Sequence, residues 1–341
     1  MRRVPTVRRV NKNNPARFDP TRTTMLRTAF AAELTRRLKA LAREIYKLVV
    51  EEDAFGLSQP VANVGRWQFA TNDQKLDEFN RWLQTQIDSK VIALRGGSDI
   101  FSAKYVDSAY RKGLVNAFIA VKKKDMIKDP DYYKKSQAEF LTTAFAAPET
   151  VSKVKLLATR SYEDLKGMTN TMATQMSRTL ADGLIHGRGA MAIARDLSKR
   201  VDISIGRART IARTEIIFAH AQGQLDAFTE LGVEEVGVMA EWSTAGDDRV
   251  CPQCEELEGV VMTVEEAQGL IPRHPNCRCT WIPANVNEKA KGQIKTARGI
   301  EAAISRSAKA ETGESTAAAA RDASRWQGVD IEVSTDRDPA G

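Results

Sequence analysis

Apolar positions recur at helical spacing over most of the chain. From Thr23 onward, Leu26, Phe30, Leu34, Leu38, Leu41, Ile45 and Leu48 lie three and four residues apart, which places them on one face of a helix. Gly56, Pro60 and Gly65 interrupt the pattern. A second run over about 72–93 carries Leu76, Phe79, Trp82, Leu83 and Ile87, and further helical runs cover about 102–122, 130–146 and 149–186. Gly187 and Gly189 mark a turn. A short helix with Met191, Ile193, Ala194 and Leu197 follows, then a second turn up to Asp202. A long helix is predicted from Ser204 to Leu231, with Ser204 as its cap. Its buried stripe is Ile211, Thr214, Phe218, Ala221, Leu225 and Phe228, and Gly232 stops it.

Beyond Gly232 the pattern shortens. Val236 to Trp242 reads as a strand, Gly246-Asp247-Asp248 as a turn, and Gly259–Met262 and Arg278–Ile282 as short strands. Thr263 and Glu266 have the spacing of a capping box for a turn of helix near Thr263–Gly269. Strands this short bury little surface, so the small sheet needs a staple. The expected fold is α+β, a mostly helical N-terminal two-thirds followed by a small zinc-stapled α+β C-terminal module. The expected divisions are a basic arm at 1–21, a helical N-terminal region at 22–149, a module at 150–284 and a tail at 285–341. Within the tail, 285–311 reads as helical and 312–341 as loosely ordered.

The 341 residues contain no apolar run long enough to span a bilayer. Met1-Arg2-Arg3-Val4-Pro5 has no apolar segment behind its arginines, so no secretory signal is expected. The expected setting is a cytoplasm or a particle assembled in one. The net charge of +7 is unevenly placed: residues 1–32 hold eight basic residues and one acid, so the remainder sums to zero. Arg2, Arg3, Arg8, Arg9, Lys12 and Arg17 form an arm that suits phosphate contacts or an acidic protein surface. A solvated tail is the plainer reading.

All four cysteines, Cys251, Cys254, Cys277 and Cys279, fall in one short stretch with His274. A disulfide scaffold would spread its cysteines through a small chain, whereas Cys251-Pro252-Gln253-Cys254 followed by His274-Pro275-Asn276-Cys277-Arg278-Cys279 has the spacing of a closed tetrahedral zinc site. Five donors compete for four positions. Cys251, Cys254, His274 and Cys277 form the preferred set, with Cys279 as the competitor and unmetallated cysteines as the alternative. Arg249, Arg273 and Arg278 are placed to offset thiolate charge. His186 reads as a helix C-terminal charge partner, and His220 as an ordinary helical histidine. Arg213 and Glu215 read as pairing with neighbouring elements, and Asp247 and Asp248 as turn residues. The sequence carries no P-loop, dinucleotide fingerprint, nucleophile elbow or zincin motif.

Taken together and in order, several motifs resemble the Mu F-like head-morphogenesis family of tailed bacteriophages. They are Arg213-Thr214-Glu215, Trp242-Ser243-Thr244, Asp248 to Cys254, Leu257-Glu258-Gly259, Pro272 to Cys279 and Pro283, and they span about 150–285. The resemblance implies a minor head (minor capsid) protein, present in the virion inside the head or at the portal vertex and in the host cytoplasm during assembly. Its implied partners are the portal protein, the major capsid protein or scaffold, and packaged or ejected DNA. The helical region at 22–149 would dock on portal or capsid. Some relatives carry enzyme domains after the module, and the 57 residues from 285 onward are too few for most of them. The expected role is binding, not catalysis. The competing readings are a DNA-binding zinc module, or a nuclease or transferase delivered with the genome that uses Glu215, His220 and Asp248.

Overall fold

The structure is a computed structural model that describes residues 19–57, 71–92, 94–95, 99–123, 137–231, 238–247 and 249–285. The basic arm residues from Arg2 to Arg17, the tail beyond 285, the helix stop at Gly232 and Asp248 lie outside the described residues.

Among the described residues, six helices make the body: α1 (Thr24–Tyr46), α2 (Asn72–Gln86), α3 (Ala103–Lys123), α4 (Gln137–Ala146), α5 (Pro148–Ile185) and α6 (Ala190–Glu230). Two short strands, β1 (Leu94–Arg95) and β2 (Asp99–Ile100), pair antiparallel ahead of α3. The sequence reading missed this hairpin, since two-residue strands show no alternation. The stripe predicted on α1 is the one buried, with Phe30, Leu34, Leu38, Leu41 and Ile45 all in the core. Each such side chain contributes about 1.5–3 kcal/mol by leaving water. α1 and α2 each end in a wider π turn, Lys47–Glu51 and Ile87–Val91.

The start of α1 is held from outside the helix. Asp19 accepts bonds from the Thr24 backbone N–H at 2.7 Å and the Thr24 hydroxyl at 2.5 Å, and pairs with Arg27 at 2.8 Å. Burial alone would raise its pKa; the Thr21 and Thr24 bonds and the Arg27 charge outweigh it and hold the carboxyl low. This supplies an acceptor for the orphan N–H groups of the first turn.

α6 is the axis of the fold and packs on α1, α3 and α5. Its 41 residues extend about 60 Å at the usual helical rise. Here the structure corrects the expected turn before Ser204. The helix is continuous from Ala190, and Ser204 lies inside it, with its hydroxyl donating to the Arg200 carbonyl at 2.9 Å. The intervening residues contain neither Gly nor Pro. Leu197, Val201, Ile205 and Ala208 continue the buried stripe, so no break is imposed.

Where α3 meets α6 the backbones touch. A β-carbon built on Gly113 would lie 2.1 Å from the His220 carbonyl oxygen, and one on Gly223 would lie 2.1 Å from the Tyr110 carbonyl oxygen. Only glycine permits this approach.

The small α+β part at the C-terminal end has three antiparallel strands, β3 (Val238–Ser243), β4 (Val261–Met262) and β5 (Thr280–Asn285), in the order β4-β3-β5. Two short helical turns, α7 (Pro252–Glu255) and α8 (Val264–Ala267), lie between the strands in sequence. Thr263 and Glu266 make both bonds of the expected capping box. Trp242 of β3 faces Trp281 of β5 in register, ring edge to ring face, with centroids 5.3 Å apart. Both rings are fully buried.

Candidate metal centre

Local chemistry shapes each half of the cysteine cluster. Cys251 is the N-cap of α7, and Pro252 takes the first helical position, where its missing N–H costs nothing. The Cys251 sulfur accepts the Cys254 backbone N–H at 3.4 Å, so the C-x2-C spacing is the first turn of a helix with its N–H groups aimed at sulfur. On the other side, the Cys277 N–H bonds the His274 carbonyl at 3.1 Å and closes a turn. Asn276 occupies the left-handed region there at φ 64°, a conformation asparagine tolerates.

The five predicted donors converge. His274 Nε2 lies 3.1 Å from Cys251 Sγ and 3.2 Å from Cys254 Sγ, and Cys254 Sγ lies 4.0 Å from Cys277 Sγ. They fall into two groups that share Cys254: Cys251, Cys254 and His274, and Cys254, Cys277 and Cys279. Tetrahedral zinc with ordinary bond lengths sets sulfurs about 3.8 Å apart and a sulfur about 3.6 Å from a nitrogen. The observed separations lie within about half an ångström of those edges, and the thiol–imidazole donor set is the one zinc prefers. Each trio could hold such an ion; the preferred four, Cys251, Cys254, His274 and Cys277, are not gathered into a single group.

The cluster is polarised even by its own bonds. Cys277 is drawn toward the thiolate by bonds from Cys254 and Cys279 and by the Cys279 and Arg273 backbone N–H groups. Cys254 is driven the other way by its bonds to Cys277 and Cys279 and by burial. Of the arginines expected to offset thiolate charge, Arg278 is held by Asp247, with bonds of 2.7 and 2.5 Å, and Arg249 pairs with the same carboxylate at 2.8 Å. Those bonds and charges keep the Asp247 pKa far below the usual carboxylate range against the opposing effect of burial. Asp247 thus ties this turn to Arg278, just ahead of β5.

α6 moors the knuckle. The Asn276 N–H reaches the Thr214 hydroxyl at 3.4 Å, and Arg213 reaches the Asn276 side-chain oxygen at 3.5 Å. The next residue, Glu215, points into the body and is buried. The Arg160 guanidinium on α5 comes within 3.2 Å of Glu215 Oε1, though not in hydrogen-bonding alignment. Burial pushes the Glu215 pKa up to about 7, Asp164 adds to the rise, and Arg160 opposes it. Arg160 also stacks over Phe218, 3.7 Å from the ring centroid. Two and a half turns beyond Glu215, Gln224 clamps β5. Its amide donates to the Trp281 carbonyl at 2.8 Å and accepts from the Thr280 hydroxyl at 2.8 Å and the Trp281 N–H at 3.1 Å.

His220 faces elsewhere. It is fully buried between α6 and α3, with Nε2 3.0 Å from the Asn116 amide. Burial holds its pKa down to about 3, so the ring is neutral. His186 is the C-cap of α5, as its position suggested. Glu215 turns toward α5 and His220 toward α3, so these two members of the enzyme alternative do not share partners. Sequence reasoning missed Gln224, the partners of Asn276 and Asp247, and the close approach of α3 and α6 at Gly113 and Gly223. Only the mid-helical glycines carried any signal, since glycine weakens a helix unless close packing requires it.

Comparison with known proteins converges on the same region. Residues 174–282 match the family described as Phage Mu protein F like protein. Over 125 residues the chain is 28% identical to minor head protein GP7 of Bacillus phage SPP1, covering 33% of this chain and 40% of that relative. The matched stretch is thus less than half of the relative's length. No solved structure gives a significant match. The two matches support a Mu F-like minor head family.

Proposed function

We propose that this chain is a minor head protein of a tailed phage that acts in head morphogenesis by binding, not by catalysis. The observation that carries the proposal is the coincidence of the family match with one structural unit. Residues 174–282 take in the end of α5, all of α6, the three-stranded sheet up to the first half of β5, and the cysteine cluster. Within that unit the motif Arg213-Thr214-Glu215 serves as the socket for the knuckle and a brace to α5.

In this reading one structural zinc is held by Cys251, Cys254, His274 and Cys277, with Cys279 buried beside them. The ion supplies folding energy to a sheet too small to stand on its own. Docking on the portal or the inner procapsid surface uses the helices before residue 200. Val151, Leu156, Ile185 and Met191 there are large apolar side chains left more than half exposed, which suits a partner surface. No helix among the described residues is long and apolar enough to cross a membrane.

The test compares particles assembled with and without the chain. The expected results are co-purification with portal protein on co-expression, presence of the chain in purified heads, and defective heads or poor infectivity in its absence. Normal head yield with full infectivity, and no chain in the particles, overturns the proposal. Glu215→Gln separates binding from catalysis, because it leaves incorporation and infectivity intact if the carboxylate only braces α5.

A further inference from the structure

α1 and α6 lie side by side and leave a groove of about 790 Å³ along their contact. Its walls carry Arg27, Arg36, Lys39, Arg43, Arg209 and Arg213, and no acidic residue lines it. The spacing is regular. Arg36, Lys39 and Arg43 stand three and four apart on one face of α1, and Arg209 and Arg213 stand four apart on α6. All five are exposed.

The carboxylates nearest in sequence are engaged outside the groove. Glu33 is held by Arg37, Lys104 and Tyr105, and leaves Arg36 at 4.0 Å; Glu44 pairs with Lys90 at 2.7 Å. Among the described residues, the side chains of Lys39, Arg43 and Arg209 make no hydrogen bond or ion pair; the Arg43 charge acts on Glu44 only alongside that of Lys90. Cations aligned in this way repel one another, and a partner of opposite charge and matching repeat relieves that repulsion.

We propose that this groove binds the phosphate backbone of double-stranded DNA without regard to sequence. Arg27 is held by Asp19, so the exposed row on α1 runs from Arg36 to Arg43 and is about 10 Å long at the helical rise. One duplex strand presents about three phosphates over that length, matching the three cations Arg36, Lys39 and Arg43. No aromatic side chain lines the groove, so it offers no platform for stacking unpaired bases. No Asn or Gln lines it to read base edges. Ala31 and Ala32 on the α1 wall are small and let a backbone approach closely. The groove residues belong to the described helices α1 and α6 and are not those of the arm sequence. The choice of duplex over other polyanions rests on the proposed head role, in which a packaged genome is the polyanion at hand. The cationic groove itself does not rest on it.

The test titrates the full chain with a duplex of arbitrary sequence across a series of salt concentrations. The same titration is made with the triple variant Lys39→Ala, Arg43→Ala, Arg209→Ala. Each lost phosphate contact lowers the log–log salt slope by about 0.9, so the expected fall is about 2.7. The arm is present in both proteins and cancels. A charge-conserving variant, Lys39→Arg with Arg43→Lys and Arg209→Lys, keeps the slope. In the unaltered protein, duplex protects Lys39 from acetylation.

An unchanged slope with an unprotected Lys39 overturns the proposal. So does tighter binding of a single strand of equal length. So does a triple variant that binds duplex normally but no longer captures a co-expressed head protein, which assigns the groove to an acidic protein surface. Finding the chain absent from particles while the slope falls as expected removes the head-protein reading and leaves the groove standing.

Discussion

Gly113→Ala should unsettle the protein more than its one added methyl suggests. The new β-carbon starts 2.1 Å from the His220 carbonyl oxygen and 3.0 Å from the Gln224 nitrogen. A carbon–oxygen contact relaxes only at about 3.3 Å, so α3 and α6 must move apart by about 1 Å. The obstacle is backbone, and no rotamer change relieves it. A gap of that size forfeits a quarter to a half of the dispersion energy of each contact it opens. Overpacking of this kind costs about 1–3 kcal/mol, and a clash between backbones belongs at the top of that range. Alanine returns up to about 1 kcal/mol of helix propensity, leaving a net loss of about 2 kcal/mol. Gly223→Ala meets the Tyr110 carbonyl at the same 2.1 Å and should cost a similar amount. The two clashes are relieved by one separation of the helices, so the double variant should lose less than the sum. Urea unfolding of the full chain reads all of this. Gly167→Ala and Gly206→Ala serve as controls, because a β-carbon at either meets nothing within 4 Å; each should gain up to about 1 kcal/mol. If Gly113→Ala and Gly223→Ala track those controls, the close approach of α3 and α6 is not real.

Three other expectations are independent of that contact. Protein purified without added metal should hold about one zinc per chain; chelation should expose Trp242 and Trp281, shift their fluorescence to the red and leave the helical circular dichroism largely intact, whereas a trace of metal with four freely titrating thiols refutes the site. His220 and Glu215 should make opposing contributions to stability against pH. The neutral His220 stabilises above 6.5 and loses that contribution as pH falls toward about 3, while the raised Glu215 stabilises below 4.5 and loses its contribution as pH rises through about 7. Between pH 4.5 and 6.5 the two slopes, each up to about 1.4 kcal/mol per pH unit, largely cancel. Glu215→Gln should therefore uncover a stability that rises with pH in that window, and a flat profile for this variant would contradict the assignment. Thr263→Ala removes the capping-box hydroxyl of α8 and should cost about 1 kcal/mol in urea melts; no loss would mean the box is idle.

Local rules carried much of this protein. The stripe from Phe30 to Ile45, the Thr263–Glu266 cap and the gathering of Cys251, Cys254, His274, Cys277 and Cys279 were legible because each depends on neighbours a few residues away or on a ligand spacing confined to one stretch. The order of motifs from Arg213 to Pro283 was legible too, and pointed to the region that the comparisons match. Tertiary structure decided the rest. The run from Ala190 to Glu230 is one helix because the faces of α1, α3 and α5 bury its stripe without interruption, a fact no window of that sequence contains. Asp247 anchors its turn because Arg278, 31 residues away, reaches it. Gly113 and Gly223 are 110 positions apart and acquire meaning only where two backbones cross. The six cations between α1 and α6 are scattered from Arg27 to Arg213 in the chain. Sequence patterns report which face of a helix avoids water; which polar residues then meet across the remaining faces is set by how the helices pack.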